Sequence, residues 1–147
     1  MIEQEDGRRL LELNEGQAVH SVYDPRNVLT GGVWDGFLVA PLAVLGRPPA
    51  SVATLGNAAG TVARAYGVRW PRTAIDGVEL DAALTDVGRR LFGMRNPRLR
   101  VHTADARPFL RSAKRDWEAI FVDAYRQPYI PFYLTTREFF RLARSRL

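Results

Sequence analysis

The chain has 147 residues, 46% of them hydrophobic and 25% charged, and it has no cysteine. That describes one ordinary globular domain able to bury a core; it excludes a disordered or low-complexity chain, disulfides, thiolate catalysis and cysteine-held zinc. The net charge is +5, split between residues 1–88 (7 basic, 11 acidic, −4) and residues 89–147 (14 basic, 5 acidic, +9). The basic residues of the second half are nearly all arginine and are scattered rather than blocked, so no nucleic-acid partner is expected. His20 and His102 are the only histidines, and no metal site is expected. Residues 1–9 are polar and hold no apolar signal core. The longest apolar stretch, 37–45, contains Pro41 and is far short of the ~20 residues that span a bilayer. A cytoplasmic protein without a membrane partner is expected.

The first 49 residues read as a small β element followed by a helix. Residues 9–13 and 17–23 are strand-like runs separated by the turn signal Asn14-Glu15-Gly16, which suggests a hairpin. Residues 34–44 read as a mostly buried helix, kinked or started at Pro41. Gly46-Arg47-Pro48-Pro49 is a linker.

From residue 50 the rhythm changes to alternating strands and helices. Strands are predicted at 51–55, 73–78, 99–102 and 117–122. Helices are predicted at 61–66, at 81–92 with Ala82, Ala83, Leu84, Val87 and Leu91 on its apolar side, at 108–113, and from Thr135 onward. Thr135 and Glu138 have the spacing of a capping box. This alternation implies βαβ units, a mostly parallel sheet and a Rossmann-like α/β fold over residues 50–147.

Ligands bind such sheets beyond the carboxyl ends of the strands. Those ends carry Gly56, Glu79, Asp105 and Asp123. The loop 56–60 is made of small residues that let a backbone pass close to a ligand, although such a turn also occurs without one. Glu79 lies 19 residues after Gly60; an acid at about that distance accepts hydrogen bonds from ribose hydroxyls, or it is a solvated strand end. Asp105, followed by Ala106, can accept from an adenine amino group or cap the next helix. Asp123 can act as a general base or as a partner for a cation. Tyr125, Tyr129 and Tyr133 follow it, and aromatic faces beside a carboxylate suit a positively charged substrate. His20 reads first as a structural histidine.

The motifs resemble the spermidine synthase family of polyamine aminopropyltransferases, in its bacterial spermidine-synthase-like branch. They are the 56–60 loop, Val78-Glu79-Leu80-Asp81, Ala104-Asp105-Ala106, Phe121-Val122-Asp123 and the stretch from Asp123 to Phe140. The resemblance runs from about residue 9 to the end and implies a class I methyltransferase fold. It also implies decarboxylated S-adenosylmethionine as co-substrate, no permanently bound cofactor, and a polyamine such as putrescine as acceptor. In this likeness Asp123 matches the carboxylate that receives the amine proton. Glu79 matches the ribose ligand, Asp105 and Ala106 the adenine contact, and Gly56 and Gly60 frame the donor loop. His20, Asp35 and Tyr125 fall at substrate-binding places.

Four departures accompany the resemblance. Ala59 stands where the family carries the aspartate that contacts the donor's amino group, and Ala58 adds a methyl to the loop. Arg126 replaces a second aspartate, and Val33-Trp34-Asp35 replaces Tyr-His-Glu. The family continues with further strands and helices, so the domain reads as short at its C-terminus, and a homodimer is expected. Two alternatives stay open: an S-adenosylmethionine-dependent methyltransferase, and a non-catalytic adenosyl-binding domain.

Overall fold

The computed structural model describes residues 2–3, 6–13, 18–125 and 129–147. The element order is β1 (Ile2–Glu3), β2 (Arg9–Leu13), β3 (Ala18–Tyr23), α1 (Val33–Leu45), β4 (Ser51–Leu55), α2 (Thr61–Arg69), β5 (Ala74–Glu79) and α3 (Ala82–Leu91). It continues with β6 (Leu99–Thr103), α4 (Ala106–Ser112), β7 (Ala119–Val122), a 3₁₀ turn (Phe132–Leu134) and α5 (Arg137–Arg144). The expected turn at Asn14-Glu15-Gly16 and the departure at Arg126 lie outside the described residues.

Strands β1, β2 and β3 form an antiparallel sheet. Strands β4 to β7 form a parallel sheet in the order β6-β5-β4-β7. Alternate residues of the parallel strands enter two separate cores, as the two-residue period of a strand requires. Val52, Ile75 and Phe121 pack beneath α1 and α2. Ala53, Leu55, Val78 and Ile120 pack beneath α4 and α5 with Trp117. A third cluster joins the two sheets: Leu11 of β2 meets Ala59 and Phe92, with Leu84, Val87 and Leu91 of α3 against them. Hydrogen bonds reinforce that seam. Thr61 Oγ1 accepts from the Val22 amide at 2.8 Å, and Ser21 Oγ accepts from the Ala59 amide at 3.0 Å.

Four elements differ from the sequence expectations. Helix α1 is not mostly buried: only Leu38 and Pro41 are, while Val33, Val39 and Val44 are 66%, 65% and 84% exposed. Pro41 neither starts nor ends the helix. A proline leaves the carbonyl four residues earlier without its N–H partner, and the Tyr66 hydroxyl fills that place by donating to the Phe37 carbonyl at 2.9 Å. On α3, Ala82 and Ala83 are exposed; Thr85 and Gly88 are buried instead, since Gly88 lets the helix pass close to the Ala59 carbonyl. The cap of α5 is Thr136, which accepts from the Phe139 amide. The Thr135 hydroxyl is spent on the Phe132 carbonyl, closing the 3₁₀ turn. Trp117 precedes its strand, and its indole N–H donates to the buried carboxylate of Asp76 at 2.8 Å.

Candidate active site

β4 and β7 are parallel neighbours, yet the helices that follow them cover opposite faces of the sheet. That reversal opens a crevice at the carboxyl ends of the two strands. Gly56 follows β4 and Asp123 follows β7, so the topology brings them together. A cavity of about 530 Å³ lies there, within the roughly 300–1,000 Å³ usual for small-molecule sites.

Each strand end contributes to its wall. Gly56 and Ala58 come from the loop after β4, Glu79 to Asp81 from β5, Ala104 to Ala106 from β6, and Asp123 to Tyr125 from β7. Tyr129, Pro131, Tyr133 and Leu134 add a further side, His20 comes from β3 and Trp34 from α1. Four of these residues carry carboxylates: Glu79, Asp81, Asp105 and Asp123. No arginine or lysine is among the described lining residues, in a chain whose net charge is +5.

Glu79 is 8% exposed. Its Oε2 accepts from the Ala58 amide at 2.7 Å and its Oε1 from the Asp81 amide at 3.0 Å. The carboxylate therefore holds the β4 loop and the start of α3 together. Each oxygen retains a second lone pair, so paired hydroxyls of a ribose remain acceptable partners.

Asp105 caps α4, its Oδ1 accepting from the Arg107 amide at 2.9 Å, while Oδ2 accepts from the Tyr133 hydroxyl at 2.8 Å. That second bond, with help from burial, raises the Tyr133 hydroxyl pKa. The Arg107 guanidinium also donates to the Tyr133 carbonyl at 3.1 Å. Asp105 is thus a helix cap and a wall of the cavity at once, and an adenine amino group would share Oδ2 with Tyr133.

Asp123 is half-buried at the end of β7. Burial pushes its carboxyl above the ordinary aspartate value, opposed by the Trp34 indole N–H that donates to Oδ2 at 2.9 Å. Its own amide donates to the Leu55 carbonyl at 2.8 Å. The Tyr125 phenol is pushed up by burial and by the Asp123 charge. The His20 ring lies 5.6 Å from that of Tyr125.

Of the sequence-expected residues, the cavity gathers Gly56, Glu79, Asp105, Ala106, Asp123, His20 and Tyr125. Gly60 and Asp35 are not in its wall. Gly60 caps α2 with φ +86, and a Cβ there would run into Met94. The Asp35 carboxylate is turned back to the start of α1 and accepts from Thr30 and Gly31. Its neighbour Trp34 reaches the cavity instead, because adjacent helical residues point about 100° apart. Ala59 is fully buried in the seam between the sheets, whereas Ala58 faces the cavity and holds the unusual φ of +44. Tyr133 and Trp34 are the partners that sequence reasoning did not assign to the carboxylates; each meets its aspartate only through the tertiary fold.

No family model matches the chain. It is 34% identical over 140 residues, 95% of its length, to a probable polyamine aminopropyl transferase of Bifidobacterium longum. The chain spans about a third of the length of the curated relatives it matches. Among solved structures it is similar to a probable spermidine synthase from Corynebacterium glutamicum, at 25% identity and a TM-score of 0.72, covering 86% of this chain and 48% of that one. It shares its fold with human methyltransferase-like protein 13, solved with SAH, at 23% identity and a TM-score of 0.66, covering 76% of this chain and 59% of that one.

Proposed function

We propose, from the premise that this chain belongs to the spermidine-synthase-like family with its class I methyltransferase-like fold, that the cavity takes part in transferring an aminopropyl group from decarboxylated S-adenosylmethionine to a polyamine such as putrescine. The carrying observation is the charge of the site: four carboxylates and no described arginine or lysine wall a cavity in a basic protein. Both the sulfonium donor and the ammonium acceptor are cations, and a low-dielectric acidic cleft favours them.

In this reading Glu79 accepts the ribose hydroxyls, and Asp105 with Ala106 receives the adenine. Gly56, whose missing side chain makes room for the Asp123 backbone, brings the loop after β4 and Asp123 together at the donor's place. A neutral amine of the acceptor attacks the carbon beside the sulfonium. The carbon–sulfur bond breaks, its electron pair stays on sulfur, and 5′-methylthioadenosine leaves. The new secondary ammonium gives its proton to Asp123, whose burial-raised pKa brings it nearer to that of a useful base. The aromatic faces of Tyr125 and Trp34 shield the reacting end. Small molecules are the partners; a homodimer in the cytoplasm completes the reading.

Calorimetric titration with decarboxylated S-adenosylmethionine, repeated with S-adenosylmethionine, tests it, followed by incubation with putrescine and mass detection of spermidine. Preferential binding of the decarboxylated donor with spermidine formed is the expected result. Preference for the intact donor with methyl transfer, or binding of neither, overturns the reading.

A further inference from the structure

Trp34 is held firmly at the reacting end. The Asp35 carboxylate accepts from the Thr30 amide at 2.9 Å, the Thr30 hydroxyl at 3.0 Å and the Gly31 amide at 2.9 Å. These three bonds fix the entry into α1 and with it the direction of Trp34. The indole packs against the core cluster beneath α1 and α2. Its Nε1–H then ends 2.9 Å from Asp123 Oδ2, across 89 positions of sequence. Asp123 Oδ1 has no hydrogen bond among the described residues. An indole nitrogen only donates, so this contact favours the ionised carboxylate and fixes which oxygen is occupied.

We propose that Trp34 is a positioning residue for Asp123: it ties down Oδ2 and leaves Oδ1 directed to the incoming amine. The role rests on the reading of Asp123 as the proton acceptor. A carboxylate that rotates freely presents either oxygen, or neither, to the substrate, and productive geometry is then rarer. Asp35 acts one step further out, by aiming the tryptophan. The ionisable groups that share the cavity with Asp123 are Tyr125 on its own loop, His20 on β3, Glu79 and Asp81 after β5, Asp105 after β6, and Tyr129 and Tyr133 beyond. None of them donates to Oδ2 among the described residues.

The first arm of the test uses the unaltered chain. The ¹H–¹⁵N signal of the Trp34 indole, assigned by its absence in Trp34→Phe, is followed as pH falls through the carboxylate range. It should move with the protonation of Asp123, and Asp123→Asn should abolish the movement. An indole signal indifferent to that titration overturns the proposal.

The second arm compares transfer kinetics. Trp34→Phe keeps an aromatic ring but removes the donor, so kcat should fall by about tenfold or more, the range of a lost hydrogen bond to a charged group, with the donor KM little changed. The acid limb of the pH profile should move to higher pH, because the ionised form has lost its donor. Trp34→His restores an N–H and should recover part of both. Unchanged kcat and an unmoved acid limb in Trp34→Phe overturn the positioning role. If the indole titrates as expected but neither protein forms spermidine, the positioning contact stands and the transferase reading alone fails.

Discussion

Gly56 and Asp123 touch through their backbones. A Cβ on Gly56 would stand 2.6 Å from the Asp123 carbonyl carbon and 2.8 Å from the Ala124 nitrogen. The chain after β7 therefore runs against the chain after β4, and this contact sets the height of Asp123 in the cavity. Gly56 also has φ +93. Gly56→Ala should cost about 2–4 kcal/mol, adding a left-handed backbone penalty to an overpacking clash. Urea denaturation measures that cost. Turnover should fall further than stability explains, because the obstacle pushes on the backbone that carries Asp123; a variant with unchanged stability would show that the two segments are not in contact.

Asp123 is held partly out of water, and its pKa is raised. A carboxyl whose folded pKa exceeds its unfolded value costs stability when ionised, at pH above both values. That cost disappears as pH falls through the folded value towards the unfolded one. Asp123→Asn should accordingly raise Tm by a few degrees at neutral pH, and the gain should vanish in acid. The same variant should abolish aminopropyl transfer while donor binding is largely kept. Equal loss of binding and turnover would make Asp123 a ligand-binding residue instead of a base.

The parallel sheet was readable because short strand-like segments, largely apolar in β4 and β7, alternate with helical ones and are bounded by turn residues. Glu79, Asp105 and Asp123 converge because β5, β6 and β7 run parallel and end on the same edge of the sheet. The rotation of α1 was not readable. Its residues are apolar nearly all round, so no periodic stripe tells the buried face from the exposed one, and only the packing of Leu38 and Pro41 decides it. That rotation is what places Trp34, and not Asp35, against Asp123. The cap of α5 moved by one residue for a similar reason: Thr135 and Thr136 are chemically equivalent, and the 3₁₀ turn before them claims the first. The Tyr133 hydroxyl reaches Asp105 across 28 positions, a contact that no local pattern encodes.

Ala58 carries φ +44 without being glycine. The left-handed region costs a non-glycine residue roughly 1–2 kcal/mol, partly offset by the extra chain entropy that a glycine loses on folding. Ala58→Gly should therefore stabilise the chain by about 0.5–1 kcal/mol on the balance of these two terms. It also removes a methyl from the cavity wall beside Glu79, so adenosyl binding should tighten. Paired denaturation and titration of the variant check both. A less stable variant would mean that the Ala58 methyl makes packing contacts outweighing its strain.

Pro41 and Tyr66 form a second testable pair. The proline deprives the Phe37 carbonyl of its helical donor, and the buried Tyr66 hydroxyl supplies one at 2.9 Å. Burial also raises the Tyr66 pKa, keeping the hydroxyl a donor. Tyr66→Phe should cost about 1–3 kcal/mol, the range for a buried carbonyl left unpaired. Pro41→Ala returns a backbone N–H to the same acceptor. The two changes together should thus cost less than the sum of each alone, and a double-mutant cycle reads the difference directly. Strict additivity would show that the hydroxyl does not replace the missing helical bond, and that α1 carries its proline by some other accommodation.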